Sequence, residues 1–158
     1  VGQIIVMQGA NMSFLGRRLP ALYGSTTAAE LDRLLLDDGR RLGRSLEIHY
    51  THQEGRAIEI LYEAAEAGMR GLLMNPAGFL YAGYALRDTV EALKEATGLI
   101  YVEVHMTNIE ARGRRSVMAD QAHGMIAGLG VGSYRLGLRA LSELLAARGI
   151  APDEAATA

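Results

Sequence analysis

Ile100-Tyr101-Val102-Glu103-Val104-His105-Met106-Thr107-Asn108 is an apolar run that ends on a carboxylate, an imidazole, a hydroxyl and an amide. Its first six residues, Ile100–His105, read as a strand. Gln3–Gln8 ends in the same way, running into Gly9-Ala10-Asn11 and on to Arg18 and Tyr23. Three further short runs, Ser45–Tyr50, Gly71–Asn75 and Gly124–Ala127, complete a set of candidate strands. Most lack clean alternation of apolar and polar residues, the pattern of strands covered on both faces.

Amphipathic segments lie between these runs. In Thr27–Leu42, Thr27-Ala28-Ala29-Glu30 has the spacing of a capping box, and Leu31, Leu34, Leu35 and Leu42 form an apolar stripe. Glu54–Ala67 closed by Gly68, Ala82–Ala96 before Gly98, and Ser133–Ala147 before Gly149 are the other predicted helices. The order β-α-β-α-β-α-β-β-α calls for right-handed crossovers and a parallel sheet with helices on both faces. The expected fold is α/β: a flavodoxin-like three-layer sandwich with a five-stranded parallel sheet of order 2-1-3-4-5. In such a sheet both quoted stretches open onto one rim, where α/β proteins place ligands. Residues 1–150 are expected to form a single domain and Ala151–Ala158 a loose tail.

With 158 residues, 49% hydrophobic and 22% charged, the chain has the balance of one globular domain. A net charge of -2 provides no broad basic field, which disfavours nucleic acid and anionic membranes and leaves small molecules or proteins as partners. There is no cysteine, so disulfides and thiolate chemistry are excluded. With no secretory leader or twenty-residue apolar span in the sequence, a cytoplasmic enzyme is the default expectation.

The connection Gly9–Gly24 is long enough to be a functional lid, although its Arg17 and Arg18 taken alone read as solvating charges. Tyr23 changes the balance. A phenol with an ordinary pKa of about 10 is a poor base at neutral pH unless a cation stabilises its anion, and Arg18 lies five residues upstream. Glu103 and His105, two apart on a strand, share a face, where a carboxylate favours the imidazolium that a general acid requires. The rival reading is a metal site built from His49, His52, Glu103 and His105. It ranks lower, because the predicted sheet order leaves two strands between the second and the fourth.

Asn75 and Asn108 end strands and are either amide donors to a carboxylate or enolate, or turn residues. Gly128-Leu129-Gly130-Val131-Gly132 resembles part of a dinucleotide fingerprint, but it follows the last strand and lacks a later acidic partner. It reads as a close-packed turn. Arg112, Arg114 and Arg115 are a solvated run or contacts for an anionic ligand.

These segments together resemble the type II 3-dehydroquinate dehydratase family of the shikimate and quinate pathways, from about Ile4 to Leu141. The anchors are Gly9-x-Asn11, Leu15-Gly16-x-Arg18-x-Pro20-x-x-Tyr23-Gly24, Glu54-Gly55, Asn75-Pro76, Ala85-Leu86-Arg87-Asp88, Glu103-Val104-His105-x-Thr107-Asn108 and Gly128-Leu129-Gly130. The resemblance implies an anti elimination of water through an enolate, with no metal or organic cofactor. Tyr23 is then the base, Arg18 its cation, Asn11 an enolate-stabilising group acting through a water, and His105, oriented by Glu103, the acid. Asn75 and the backbone around Met106 and Thr107 would hold the substrate carboxylate. Asp88 would reach in from a neighbouring subunit of a homo-oligomer, trimers assembled into a dodecamer.

Two positions depart from the family pattern. Tyr81 stands where the family has a histidine, and Ser116 where it has an arginine; both of those groups contact ring hydroxyls. The elimination machinery is thus matched while the diol contacts are altered, with Tyr81 and either Arg114 or Arg115 as the available replacements. Gln8-Gly9-Ala10-Asn11 replaces the usual Asn-Gly-Pro-Asn, and His52 replaces an Asn. The expected activity is a hydro-lyase acting on 3-dehydroquinate or a related cyclic hydroxy-ketone carboxylate. The alternatives are a hydratase of simpler cyclic enones and a noncatalytic ring-carboxylate-binding homologue.

Overall fold

The computed structural model describes residues 3–153. Five parallel strands, β1 (Ile4–Ala10), β2 (Leu46–Tyr50), β3 (Gly71–Ala77), β4 (Ile100–His105) and β5 (Gly124–Ala127), form one sheet in the expected order β2-β1-β3-β4-β5. The helices are a single turn α1 (Pro20–Tyr23), then α2 (Ala28–Arg41), α3 (Glu54–Glu66), α4 (Tyr84–Thr97) and α5 (Val131–Ala147). None is long and apolar enough to cross a membrane.

Strand alternation divides the core in two. Ile5, Met7, Leu72, Met74 and Tyr101 face Ala57, Leu61, Leu86 and Val90 of α3 and α4. Ile4, Val6, Leu73, Val102 and Val104 face Leu31 and Leu35 of α2 and Leu138 and Leu141 of α5. The Thr27 capping box is formed: the Glu30 N–H donates to Thr27 Oγ1 at 3.2 Å, and the Thr27 N–H donates to Glu30 Oε2 at 2.7 Å. Leu34 departs from the predicted stripe; it is exposed, because the buried face of α2 is centred on Leu31 and Leu35.

β1 and β3 each run two residues beyond their expected ends, to the pair Ala10 and Ala77. Gly9 permits this extension. A Cβ there would lie 2.1 Å from the Pro76 carbonyl oxygen, so only glycine lets the two backbones approach this closely. The extension carries Asn11 and the segment after Ala77 past the rim. α4 begins at Tyr84 rather than Ala82, because Gly78–Tyr81 forms a tight 3-10 turn ahead of it.

Of the expected tail, residues 154–158 lie outside the described residues, while Ala151 and Asp153 are hydrogen-bonded to the body of the fold. The buried Arg44 guanidinium donates to Gln3 Oε1, Ser142 Oγ and the carbonyls of Ser142, Ile150 and Ala151. The Ser45 hydroxyl donates to Asp153 Oδ2, and the Asp153 N–H donates to the Gly43 carbonyl.

Gly9→Ala should cost more than about 3 kcal/mol, read as a lowered urea midpoint, because β1 and β3 must separate. Gly55→Ala, with nothing within 4 Å of its new Cβ, serves as the control and should change stability by less than about 1 kcal/mol.

Candidate active site

The rims of β1, β3 and β4 and the segments that follow them enclose a cavity of about 690 Å³, counting its open mouth. Asn11, Arg18, Tyr23, Asn75, Tyr81, His105, Met106, Thr107 and Arg112, all predicted site residues, line it. Met12, Leu15, Leu80 and Ile109 supply apolar wall and Arg114 a further cation.

Two guanidinium groups flank Tyr23. That of Arg18 lies 5.8 Å from the ring centroid and that of Arg112 5.9 Å. Arg112 Nη1 also donates to the Tyr23 oxygen at 3.3 Å and to Thr107 Oγ1 at 3.0 Å. The sequence points to Arg18 as the cation at this phenol, whereas the group in hydrogen-bonding reach is Arg112. It approaches from the loop after β4, a contact between residues 89 positions apart that no local spacing announces.

His105 Nε2 is 2.6 Å from Glu103 Oε1. Both side chains are buried, the imidazole at the cavity wall and the carboxylate behind it. With Nε2 engaged, Nδ1 is the ring nitrogen left for a ligand. The second Glu103 oxygen accepts from the Tyr101 hydroxyl at 2.7 Å, a partner not singled out from sequence because a tyrosine inside an apolar run reads as core.

Asn75 is set by a buried chain of hydrogen bonds. Its Nδ2 donates to the Tyr134 oxygen at 2.8 Å, and the Tyr134 hydroxyl donates to Gln8 Oε1 at 2.6 Å. Its Oδ1 accepts the Ala77 N–H at 3.0 Å. Burial pushes the Tyr134 phenol up, so it remains a neutral link. Asn11 has φ 75, and its N–H donates to His52 Nδ1 at 3.0 Å, while His52 Nε2 lies 3.2 Å from the Ser13 hydroxyl. Asn108 takes the turn role, its Oδ1 accepting the Ala111 N–H.

Arg115 is not on the cavity wall. Its side chain is 90% exposed and lies 4.0 Å from Glu110, while Ser116 turns its hydroxyl to the Met118 N–H. Arg114 lines the cavity instead, 5.6 Å from the centroid of the Tyr81 ring. Asp88 also lies off the wall, on an exposed face of α4 and paired with Arg87 at 3.1 Å. Among the described residues no three His, Cys, Asp or Glu side chains gather as a metal site. His49 pairs with Glu47 on the edge strand β2 instead.

The family profile described as Dehydroquinase class II matches residues 2–142. The chain belongs to the class II dehydroquinase family. A 3-dehydroquinate dehydratase of Desulforudis audaxviator is 42% identical over 146 residues, covering 90% of this chain and 94% of that one. A 3-dehydroquinate dehydratase of Pelobacter propionicus is 38% identical, covering 90% and 95%. Among solved structures, the type II dehydroquinase of Propionibacterium acnes superposes with a TM-score of 0.81 at 35% identity, covering 89% of this chain and 95% of that one.

Within this dehydroquinase framework the backbone strain is local to the site. Among the described residues, the non-glycine residues with positive φ are Asn11, Leu19 and Ala77; Asn11 and Ala77 line the cavity, and Leu19 adjoins Arg18. At φ 47 and ψ -117, Ala77 occupies a region that favours glycine, held there by the Asn75 side chain. Ala77→Gly should therefore raise stability by about 1 kcal/mol, a gain of roughly 2–4 °C in melting temperature by calorimetry.

Proposed function

We propose that this chain is a type II 3-dehydroquinate dehydratase, a carbon-oxygen hydro-lyase that removes water from 3-dehydroquinate through an enolate. The observation that carries the reading is the presence in one cavity of Tyr23 beneath two guanidinium groups and His105 backed by a buried carboxylate. The names of the 3-dehydroquinate dehydratases that this chain resembles support it.

In this mechanism the Tyr23 oxygen, as phenolate, takes the proton from the carbon beside the ketone. Positive charge on Arg112 and Arg18 stabilises that anion. The electron pair of the broken C–H bond moves into an enolate, whose charge Asn11 helps to stabilise through a water. Collapse of the enolate forms the ring double bond and breaks the bond to the leaving hydroxyl. His105 protonates that hydroxyl from Nδ1, so water departs, and the two groups then exchange protons with solvent to reset.

Asn75, with its amide oriented by Tyr134, and the backbone at Met106 and Thr107 bind the ring carboxylate. At the opposite end, Arg114 held against Tyr81 supplies donors for the diol that the family's histidine and arginine would otherwise meet. That pairing favours 3-dehydroquinate over simpler enones. Asp88 lies off the wall of its own cavity; by the family resemblance its role would be on the cavity of a neighbouring subunit, in a homo-oligomer of trimers assembled into a dodecamer.

Purified protein given 3-dehydroquinate should generate enone absorbance, and Tyr23→Phe should lower kcat by about a thousandfold. Full activity in that variant would overturn the assignment of the base. Arg114→Ala should raise KM by roughly ten- to a hundredfold, the loss of a hydrogen bond to a charged group, while Arg115→Ala should leave it unchanged.

A further inference from the structure

Residues two apart on a strand share a face, so β4 carries Tyr101, Glu103 and His105 in a line from the core to the cavity. Tyr101 and Glu103 are fully buried and His105 is 3% exposed. The Tyr101 hydroxyl donates to Glu103 Oε2 at 2.7 Å, and Glu103 Oε1 holds His105 Nε2 at 2.6 Å. Each carboxylate oxygen thus has its own partner, a phenol on the core side and an imidazole on the cavity side. Burial first, then the Glu103 carboxylate, push the phenol well above its ordinary range, so Tyr101 stays a neutral donor throughout. Its ring packs in the apolar cluster with Leu72, Met74, Leu86 and Val90, where a phenylalanine would fill the same space. A hydroxyl in such surroundings is costly without a partner, and its partner here is Glu103.

We propose that Tyr101 is a positioning residue for the acid, acting through Glu103: its hydroxyl fixes the carboxylate's rotation and supports its charge while His105 releases and regains a proton. The inference rests on His105 being the proton donor of the reaction above. When the imidazolium gives up its Nδ1 proton, Glu103 keeps the Nε2–H hydrogen bond but loses the opposing charge. A buried carboxylate then depends most on its other donor. Without the Tyr101 hydroxyl the deprotonated state is the more disfavoured one, so His105 holds its proton more tightly and donates it more slowly.

Other ionisable groups also face this line. Across the cavity these are Arg18, Tyr23, Arg112 and Arg114. Beside β5, His123 Nδ1 accepts the Tyr101 N–H, and Lys94 of α4 bears on His123. Glu54 of α3 is committed to the Leu86 N–H.

The test is Tyr101→Phe, which removes one oxygen and opens no cavity. We expect kcat to fall by about tenfold with KM within about twofold, and the alkaline limb of the kcat profile to move to higher pH by up to about one unit. In parallel, the ring nitrogens of His105, assigned by loss of their signals in His105→Gln, are titrated by 15N NMR; their midpoint should move upward in Tyr101→Phe. Unchanged limb and midpoint, with only a lowered melting temperature, would leave Tyr101 a core residue and overturn the proposal. Failure of the unaltered chain to turn over 3-dehydroquinate would count against the proposed reaction, and the imidazole titration alone would then decide whether Tyr101 governs His105.

Discussion

Glu103 is a carboxylate with no access to water, standing near the end of a strand surrounded by apolar side chains. Such a group is costly unless its oxygens are partnered. His105 meets that need from the cavity side, so the same contact that stabilises the interior also fixes the imidazole at the wall. The ring can turn neither toward solvent nor deeper without stranding the carboxylate. Its orientation is a by-product of burying Glu103, and the cavity is assembled around an imidazole already fixed in place.

The tyrosine side of the cavity is built on an opposite principle. Tyr23 lies at the end of a single helical turn on the loop after β1, and neither it nor its loop neighbours Arg17 and Arg18 are buried. Its ring packs partly against the apolar cluster on the α2 and α5 side, and two cations flank it, Arg18 from its own loop and Arg112 from the loop after β4. The cavity therefore pairs a wall set by buried hydrogen bonds along β4 with one built from loop side chains.

The fold was legible because its signals are local or periodic. Buried parallel strands read as short apolar runs, the Thr27 box marks a helix start, and crossover lengths imply a parallel sheet. Asn11, Asn75 and His105 were legible as site candidates because strand ends share a rim, and Tyr23 because a cation lies five residues upstream on the same loop. What escaped depends on distance or loop conformation. The choice between Arg114 and Arg115 turns on how an irregular loop points adjacent side chains, which no period encodes. The Arg112 contact with Tyr23 joins residues far apart in the chain, and the positive φ of Ala77 is imposed by a side-chain acceptor. Tyr101 was within reach, since the spacing that joins Glu103 to His105 also joins Tyr101 to Glu103, but its aromatic ring reads first as packing.

His52 and Ser13 bear one more consequence. A histidine 3.2 Å from a serine hydroxyl looks like the start of a hydrolytic dyad. Here Nδ1 is occupied in accepting the Asn11 N–H, so the neutral ring carries its hydrogen on Nε2 and offers the serine a donor in place of a lone pair. With no nitrogen free to receive the hydroxyl's proton, Ser13 stays an ordinary alcohol, and the imidazole is spent on shaping the left-handed bend at Asn11.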